Sequence, residues 1–128
     1  MPDYLDTSAF IKLVLSEHES PALRSELAGR ELLSSALLNV EGRRAARRYG
    51  ELAAKRARVA LAAITLIPLD QPVLDAAAEL DPKELRSLDA IHLATAASLR
   101  ENLDRLYCYD SRLGSAATAI GIEVSQPH

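Results

Sequence analysis

Four acidic residues stand where this chain could do chemistry. Asp6 directly follows the short run Tyr4-Leu5, and Asp110 directly follows Leu106-Tyr107-Cys108-Tyr109. Glu41 lies six residues beyond Ser35, the end of the run Glu31-Leu32-Leu33-Ser34-Ser35, and Asp89 lies two residues beyond Ser87. If the runs are strands of an open α/β sheet and the segments after them are helices, all four acids reach one rim. In such sheets ligands bind outside the carboxyl ends of the strands. No pair is close enough in sequence to meet by local geometry, so convergence depends on the fold. Neighbouring carboxylates raise one another's pKa and call for a counter-charge. A hard divalent cation, Mg²⁺ or Mn²⁺, takes oxygen ligands and keeps several waters. Such an ion makes its water acidic enough to attack near neutral pH, and it offsets charge building on a phosphoryl oxygen. With no His/Cys ligand set, the pattern points to metal-assisted phosphodiester hydrolysis rather than zinc chemistry. A plainer reading stays open from spacing alone. Among 18 acids some fall at strand ends by chance, and the helix dipole alone favours Asp89 near a helix start.

The elements that must position these acids are read from apolar periodicity and punctuation. Tyr4-Leu5 opens the chain as a strand, and a helix follows through Ile11, Val14 and Leu15 with Thr7 or Ser8 as its N-cap. Ser20 caps a second helix with Pro21 in its first turn and Gly29 at its end. Residues 31–35 form the second strand and lead into the helix that carries Glu41. Gly50 separates this helix from the next, which runs to about Ile64. Leu66-Ile67-Pro68-Leu69 is a third strand, its proline marking an edge or an exit. Asp70 caps a helix that ends at Asp81-Pro82, and Ser87 caps one running to about Arg100. Leu106–Tyr109 is a strand, Ser111–Ile120 a helix closed by Gly121, and Ile122–Val124 the last strand. Strands alternating with helices imply βαβ units and a parallel sheet covered on both faces.

Composition agrees with one α/β domain over residues 1–128, with 48% apolar and 26% charged residues. A domain of this length buries roughly two-thirds of the surface its unfolded chain exposes. Cys108 is the only cysteine, which excludes a disulfide scaffold, and no signal peptide or long apolar span is present. The expectation is a cytoplasmic protein with no membrane attachment. The net charge of −3 argues weakly against a nucleic-acid partner, but its distribution argues the other way. Arg43, Arg44, Arg47, Arg48, Lys55, Arg56 and Arg58 gather seven of the fifteen basic residues into sixteen positions. Arg43/Arg47 and Arg44/Arg48 are i, i+4 pairs. The stripe begins beside Glu41, so it reads either as a solvated face or as a contact for an RNA backbone.

Three segments carry a resemblance. Tyr4-Leu5-Asp6-Thr7-Ser8-Ala9, the stretch Arg86-Ser87-Leu88-Asp89-Ala90-Ile91-His92-Leu93-Ala94-Thr95-Ala96-Ala97, and Tyr109-Asp110-Ser111-Arg112-Leu113 resemble the PIN-domain nucleases. The likeness is closest to the VapC-type toxins of bacterial toxin–antitoxin pairs and spans nearly the whole chain. It implies a single PIN domain, a three-layer α/β/α sandwich around a mainly parallel sheet of four to five strands. It implies a metal-dependent endoribonuclease whose Asp6, Glu41, Asp89 and Asp110 hold one or two Mg²⁺ or Mn²⁺ ions and leave 5′-phosphate and 3′-hydroxyl ends. Thr7 or Ser8 resembles a hydroxyl that orients the first acid or binds phosphate, and Arg112 an arginine near the site. The resemblance further implies an RNA substrate, a homodimer, and a VapB-like antitoxin whose C-terminal segment covers the active-site groove. One position departs: Gly42 stands where the family carries a bulkier apolar residue. Glycine inside a helix costs about 1 kcal/mol relative to alanine, so a locally looser helix around Glu41 is expected.

Other readings fit less well. A PIN nuclease of RNA processing or decay without an antitoxin differs only in its neighbouring gene. A response-regulator receiver domain needs an acidic pair after the first strand and a late lysine, but Asp6 is followed by Thr7-Ser8 and the last lysine is Lys83. A haloacid-dehalogenase-like phosphatase needs Asp-x-Asp there. His92, three residues past Asp89 in an apolar stretch, reads as a hydrogen-bonded core histidine rather than a base, because metal-bound water needs none. Cys108 reads as a small buried hydrophobe.

Overall fold

Each strand of the protein is short, two to four residues, and all five pair in parallel. The computed structural model describes residues 1–128. The strands are β1 (Asp3–Leu5), β2 (Leu32–Ser35), β3 (Ile64–Ile67), β4 (Leu106–Tyr107) and β5 (Val124–Ser125). The helices are α1 (Thr7–Val14), α2 (Ser20–Leu27), α3 (Leu37–Arg47), α4 (Glu51–Ala62), α5 (Gln71–Ala78), α6 (Ser87–Ser98) and α7 (Ser111–Ala119). The strand order is β3-β2-β1-β4-β5. The chain therefore winds outward from β1 to β3, then returns to place β4 on the other side of β1. This reversal makes the carboxyl ends of β1 and β4 the switch point of the sheet, the place where open α/β sheets bind ligands.

Alternation along the strands sends successive side chains to opposite faces. Leu5, Ile64 and Tyr107 pack with Phe10, Leu23, Leu38 and Ala53 beneath α1 to α4. Tyr4, Leu33 and Leu106 pack with Leu93 and Ala96 of α6 and Leu113 and Ala116 of α7 on the other face. Val73 and Ala77 join α5 to Ala90 and Ala94 of α6. The expected three-layer sandwich is therefore present, with five strands. Cys108 is fully buried, as its position in an apolar run suggests. No helix is long and apolar enough to cross a membrane.

Several boundaries differ from expectation. β3 starts at Ile64 rather than Leu66 because Ile64–Ile67 pairs residue for residue with Leu32–Ser35. Pro68, with no N–H to give, lies just past the end of this edge strand. β4 stops at Tyr107 because Tyr109 N leaves the sheet and donates to Ser8 Oγ at 2.8 Å. β5 starts at Val124 because Ile122 N is held in the turn after α7, bonded to Ala117 O. The cap of α1 is Asp6, not Thr7 or Ser8, its carboxylate accepting from Ala9 N. Ser20 and Ser87 are the first helical residues of α2 and α6, preceded by Glu19 and Arg86 as the flanking positions. Ser20 instead ties the loop before it, accepting from Glu17 N and donating to Leu15 O.

Gly42 does not loosen α3, which is continuous from Leu37 to Arg47. A Cβ at this position would lie 2.8 Å from two ring atoms of Phe10 and 3.1 Å from Leu38 Cδ1. The glycine is there so that α3 can lie against the Phe10 ring of α1.

Candidate active site

The first acid is set by two turns that meet. Asp6 leaves β1 in extended conformation and caps α1, its Oδ1 accepting from Ala9 N at 2.9 Å. Ser8 Oγ donates to the same carboxylate, 2.7 Å from Oδ1 and 2.8 Å from Oδ2, and accepts from Tyr109 N. One hydroxyl thus couples the end of β1 to the end of β4. Asp6 is only 3% exposed. Burial pushes its carboxyl above the ordinary value, and the bonds from Ser8 and Ala9 only partly counter this.

Glu41 projects from α3 into a polar triangle. Thr7 Oγ1 donates to Glu41 Oε1, and His92 Nε2 lies 3.0 Å from that oxygen and 3.1 Å from Thr7 Oγ1. Burial alone would raise the Glu41 carboxyl, but hydrogen bonds from His92 and Thr7 outweigh it and hold it below the ordinary value. Its other oxygen, Oε2, has no partner in the protein. His92 is buried, as expected for a core histidine, yet it touches one of the four acids directly.

Asp89 and Asp110 share a cation. Asp89 sits in the first turn of α6, and Asp110 caps α7 by accepting from Arg112 N and Leu113 N. Arg86, at the flank of α6, reaches Asp89 Oδ2 at 3.3 Å and Asp110 Oδ2 at 3.5 Å. Burial raises the Asp89 carboxyl, and the charge of Asp110 raises it further against the pull of Arg86. In the sequence Arg86 stands out only as the first residue of a motif. Its i, i+3 spacing to Asp89 is the signal that could have singled it out.

The donor set fits a hard divalent cation: all oxygen, two carboxyls pushed towards protonation by burial and neighbours, and a guanidinium already drawn between two of them. In this arrangement no three His, Cys, Asp or Glu side chains close around a single point. An ion here would be held by one or two carboxylates, with water completing its shell, as Mg²⁺ prefers.

The basic residues divide. Arg43, Arg44 and Arg47 on α3 and Arg48 just past its end are all exposed. Arg44 and Arg48 line a hollow of about 410 Å³ with Glu41, Leu37, Val40, Ala45 and Leu88. Arg44, Arg47 and Arg48 line a second one alongside, whereas Arg43 lines neither. Arg112 borders a separate hollow of about 760 Å³ between α7 and the segment Pro82–Leu85.

Comparison with known proteins adds an independent line. The PIN domain family matches residues 4–118. The chain is 50% identical over 125 residues to "Ribonuclease VapC46" of Mycobacterium tuberculosis, covering 97% of this chain and 96% of that one. It is 40% identical over 130 residues to "Ribonuclease VapC47" of the same species, with the same coverage. Among solved structures, M. tuberculosis VapC20, described as a sarcin-ricin loop cleaving toxin, superposes with a TM-score of 0.75 at 18% identity. That match covers 97% of this chain and 98% of the other. A toxin–antitoxin complex from Klebsiella pneumoniae gives 0.70 at 23% identity, covering 98% of both. The last two show likeness of fold.

Proposed function

This chain belongs to the PIN-domain family and to its VapC-type ribonucleases, and from that premise we propose that it is a metal-dependent endoribonuclease acting as the toxin of a toxin–antitoxin pair. The observation that supports the reading is pairwise: Arg86 spans Asp89 and Asp110, while the adjacent Thr7 and Ser8 of α1 bond Glu41 and Asp6. One or two of these acids would hold Mg²⁺ or Mn²⁺ directly, and the others would act through its waters. Bound there, the ion supplies an acidic water and offsets the charge that builds on a phosphoryl oxygen.

The chain's own residues do the remaining work. Ser8 and Ala9 fix the Asp6 carboxylate, and Thr7 and His92 fix one oxygen of Glu41. Arg86, whose side chain is 72% exposed, has the freedom to turn from the acids to a substrate phosphate. Arg44, Arg47 and Arg48 line the path of an RNA backbone past Glu41, and Arg112 offers a further cation beside Asp110. The reaction is in-line hydrolysis, leaving 5′-phosphate and 3′-hydroxyl ends. The chain works in the cytoplasm as a homodimer, and a VapB-like antitoxin neutralises it by covering the groove. The kinship to VapC ribonucleases supports these partners.

The test is RNA cleavage by wild type and Asp6→Asn with Mg²⁺, Mn²⁺ or excess chelator. Wild type should cut in either metal, stop in chelator, and yield 3′ ends that accept ligation. Asp6→Asn should be slower by at least the roughly 10–100-fold that disturbed metal sites lose. Equal activity in chelator or in the variant overturns the mechanism. Co-expression with the product of the adjacent short reading frame should abolish toxicity if the antitoxin reading holds.

A further inference from the structure

His92 and Tyr4 form a buried pair of which the hydrolytic reading uses only the contact of His92 with Glu41 and gives Tyr4 no role. Both are almost fully enclosed, with Tyr4 0% and His92 1% exposed. Tyr4 Oη lies 2.9 Å from His92 Nδ1, and the rings meet edge to face at 5.9 Å. On the far side of the imidazole, Nε2 faces Glu41 Oε1 at 3.0 Å. Glu41 Oε1 is a carboxylate oxygen and can only accept, so the Nε2 that faces it carries a proton. The Tyr4 O–H therefore donates to Nδ1, which leaves the imidazole proton on Nε2. That proton is aimed at Glu41.

We propose that His92, held as its Nε2–H tautomer by Tyr4, is the positioning residue for Glu41: it occupies Oε1 and leaves Oε2 as the oxygen available to a divalent cation. The inference rests on the reading of Glu41 as a metal ligand. The chain tying these groups together crosses β1, α3 and α6, three elements that no local sequence rule brings together. Supporting groups of this kind do for carboxylate ligands what they do for ligating histidines. They fix orientation, and losing them typically weakens metal affinity about 10–100-fold. Thr7 supplies a second bond to Oε1, so the effect of removing His92 belongs in that range rather than beyond it.

The experiment measures Mn²⁺ affinity of the full chain by electron paramagnetic resonance, with no substrate present. Variants are His92→Leu, His92→Gln, Tyr4→Phe, Glu41→Gln and the double variant Glu41→Gln/His92→Leu. His92→Leu should weaken Mn²⁺ binding about 10–100-fold. His92→Gln, whose amide N–H can replace Nε2–H, should stay close to wild type. Tyr4→Phe should fall between them. In the Glu41→Gln background His92→Leu should cost nothing further, which a general loss of packing would not produce. Nitrogen-15 shifts of His92 should show a bare Nδ1 in wild type and a mixture of tautomers in Tyr4→Phe. Wild-type affinity in both His92→Leu and Tyr4→Phe, equal losses in both backgrounds, or a protonated Nδ1 in wild type overturns the inference. If Glu41→Gln alone binds Mn²⁺ like wild type, Glu41 is no ligand and the inference falls with that reading. Should His92→Leu fail to fold, Tyr4→Phe, His92→Gln and the shifts still decide.

Discussion

The Phe10 ring fills the space a side chain at Gly42 would need: a Cβ there would lie 2.8 Å from both Cδ2 and Cε2. Phe10 is fully buried between the sheet and α1 to α4, so its ring has little room to turn away. Gly42→Ala gains about 1 kcal/mol of helix propensity but overpacks the contact, which typically costs about 1–3 kcal/mol. The expected outcome is a net loss of up to about 2 kcal/mol in urea unfolding. Combining it with Phe10→Leu should cost less than the two single losses together, because the cavity one makes accommodates the methyl of the other. Strict additivity, or a more stable Gly42→Ala, would show that α3 does not need the glycine.

Arg86 competes with any cation for Asp89 and Asp110. Its side chain is 72% exposed, so solvent screens both pairs and each is worth at most about 1 kcal/mol. Arg86→Gln should therefore tighten Mn²⁺ binding by roughly 2–5-fold, about what such an interaction is worth as an affinity ratio. RNA cleavage at low substrate should nevertheless slow, through a higher KM, because a phosphate-facing cation is gone. Weaker Mn²⁺ binding in Arg86→Gln would mean the guanidinium supports the acids instead of competing for them.

Metal-free protein should lose stability as pH rises. Asp6 and Asp89 have folded-state pKa values above the ordinary aspartate value of 3.8. Such groups contribute stability that is fully present below the unfolded pKa and lost as pH rises through the folded one. Glu41 is shifted down, so its contribution runs the opposite way, present at neutral pH and lost on acidification. Asp6→Asn removes the buried charge and keeps an acceptor for Ala9 N. In chelator it should be more stable than wild type at pH 7, by about 1–3 kcal/mol, with the gap closing towards pH 4. Mg²⁺ at a hundred times its Kd should add about 2.7 kcal/mol to wild type and much less to the variant. A gap independent of pH would show that Asp6 ionisation carries no cost in the fold.

Asp6 and Asp110 could be found in the sequence because Asp6 directly follows β1 and Asp110 follows β4 after only Cys108 and Tyr109, which in a parallel sheet puts both at the same edge. Their second task was hidden: both are also helix caps, so hydroxyls at Thr7 and Ser8 looked like the cap of α1 while Ser8 in fact joins Asp6 to Tyr109 N. The contacts that tune the site are long-range. His92 meets Glu41 across 51 residues and Arg86 meets Asp110 across 24, and neither distance is encoded in any local pattern. Gly42 misled for the same reason. Its helix cost is a local property, whereas its use is set by a ring on another helix. The net acidity misled because it averages a carboxylate pocket with an arginine stripe on one small domain.

The stripe itself can be dissected, because its arginines differ in position though not in type. Arg44 and Arg48 line the hollow that contains Glu41, and Arg43, next to Arg44 in the chain, lines neither this hollow nor the one beside it. If RNA runs along this hollow, removing one arginine–phosphate pair should lower the slope of log affinity against log salt by about 0.7, the value for single strands. Arg44→Glu/Arg48→Glu should then bind a short RNA weakly and flatten the slope by about 1.4 or more. Arg43→Glu changes the net charge by half as much, and it should leave the slope nearly unchanged while shifting affinity slightly. The comparison separates a direct pairing from a general field, because a field would respond to charge and not to place. Equal slopes in all three proteins would remove the stripe from the substrate path, leaving it a solvated face whose nearness to Glu41 has no part in binding.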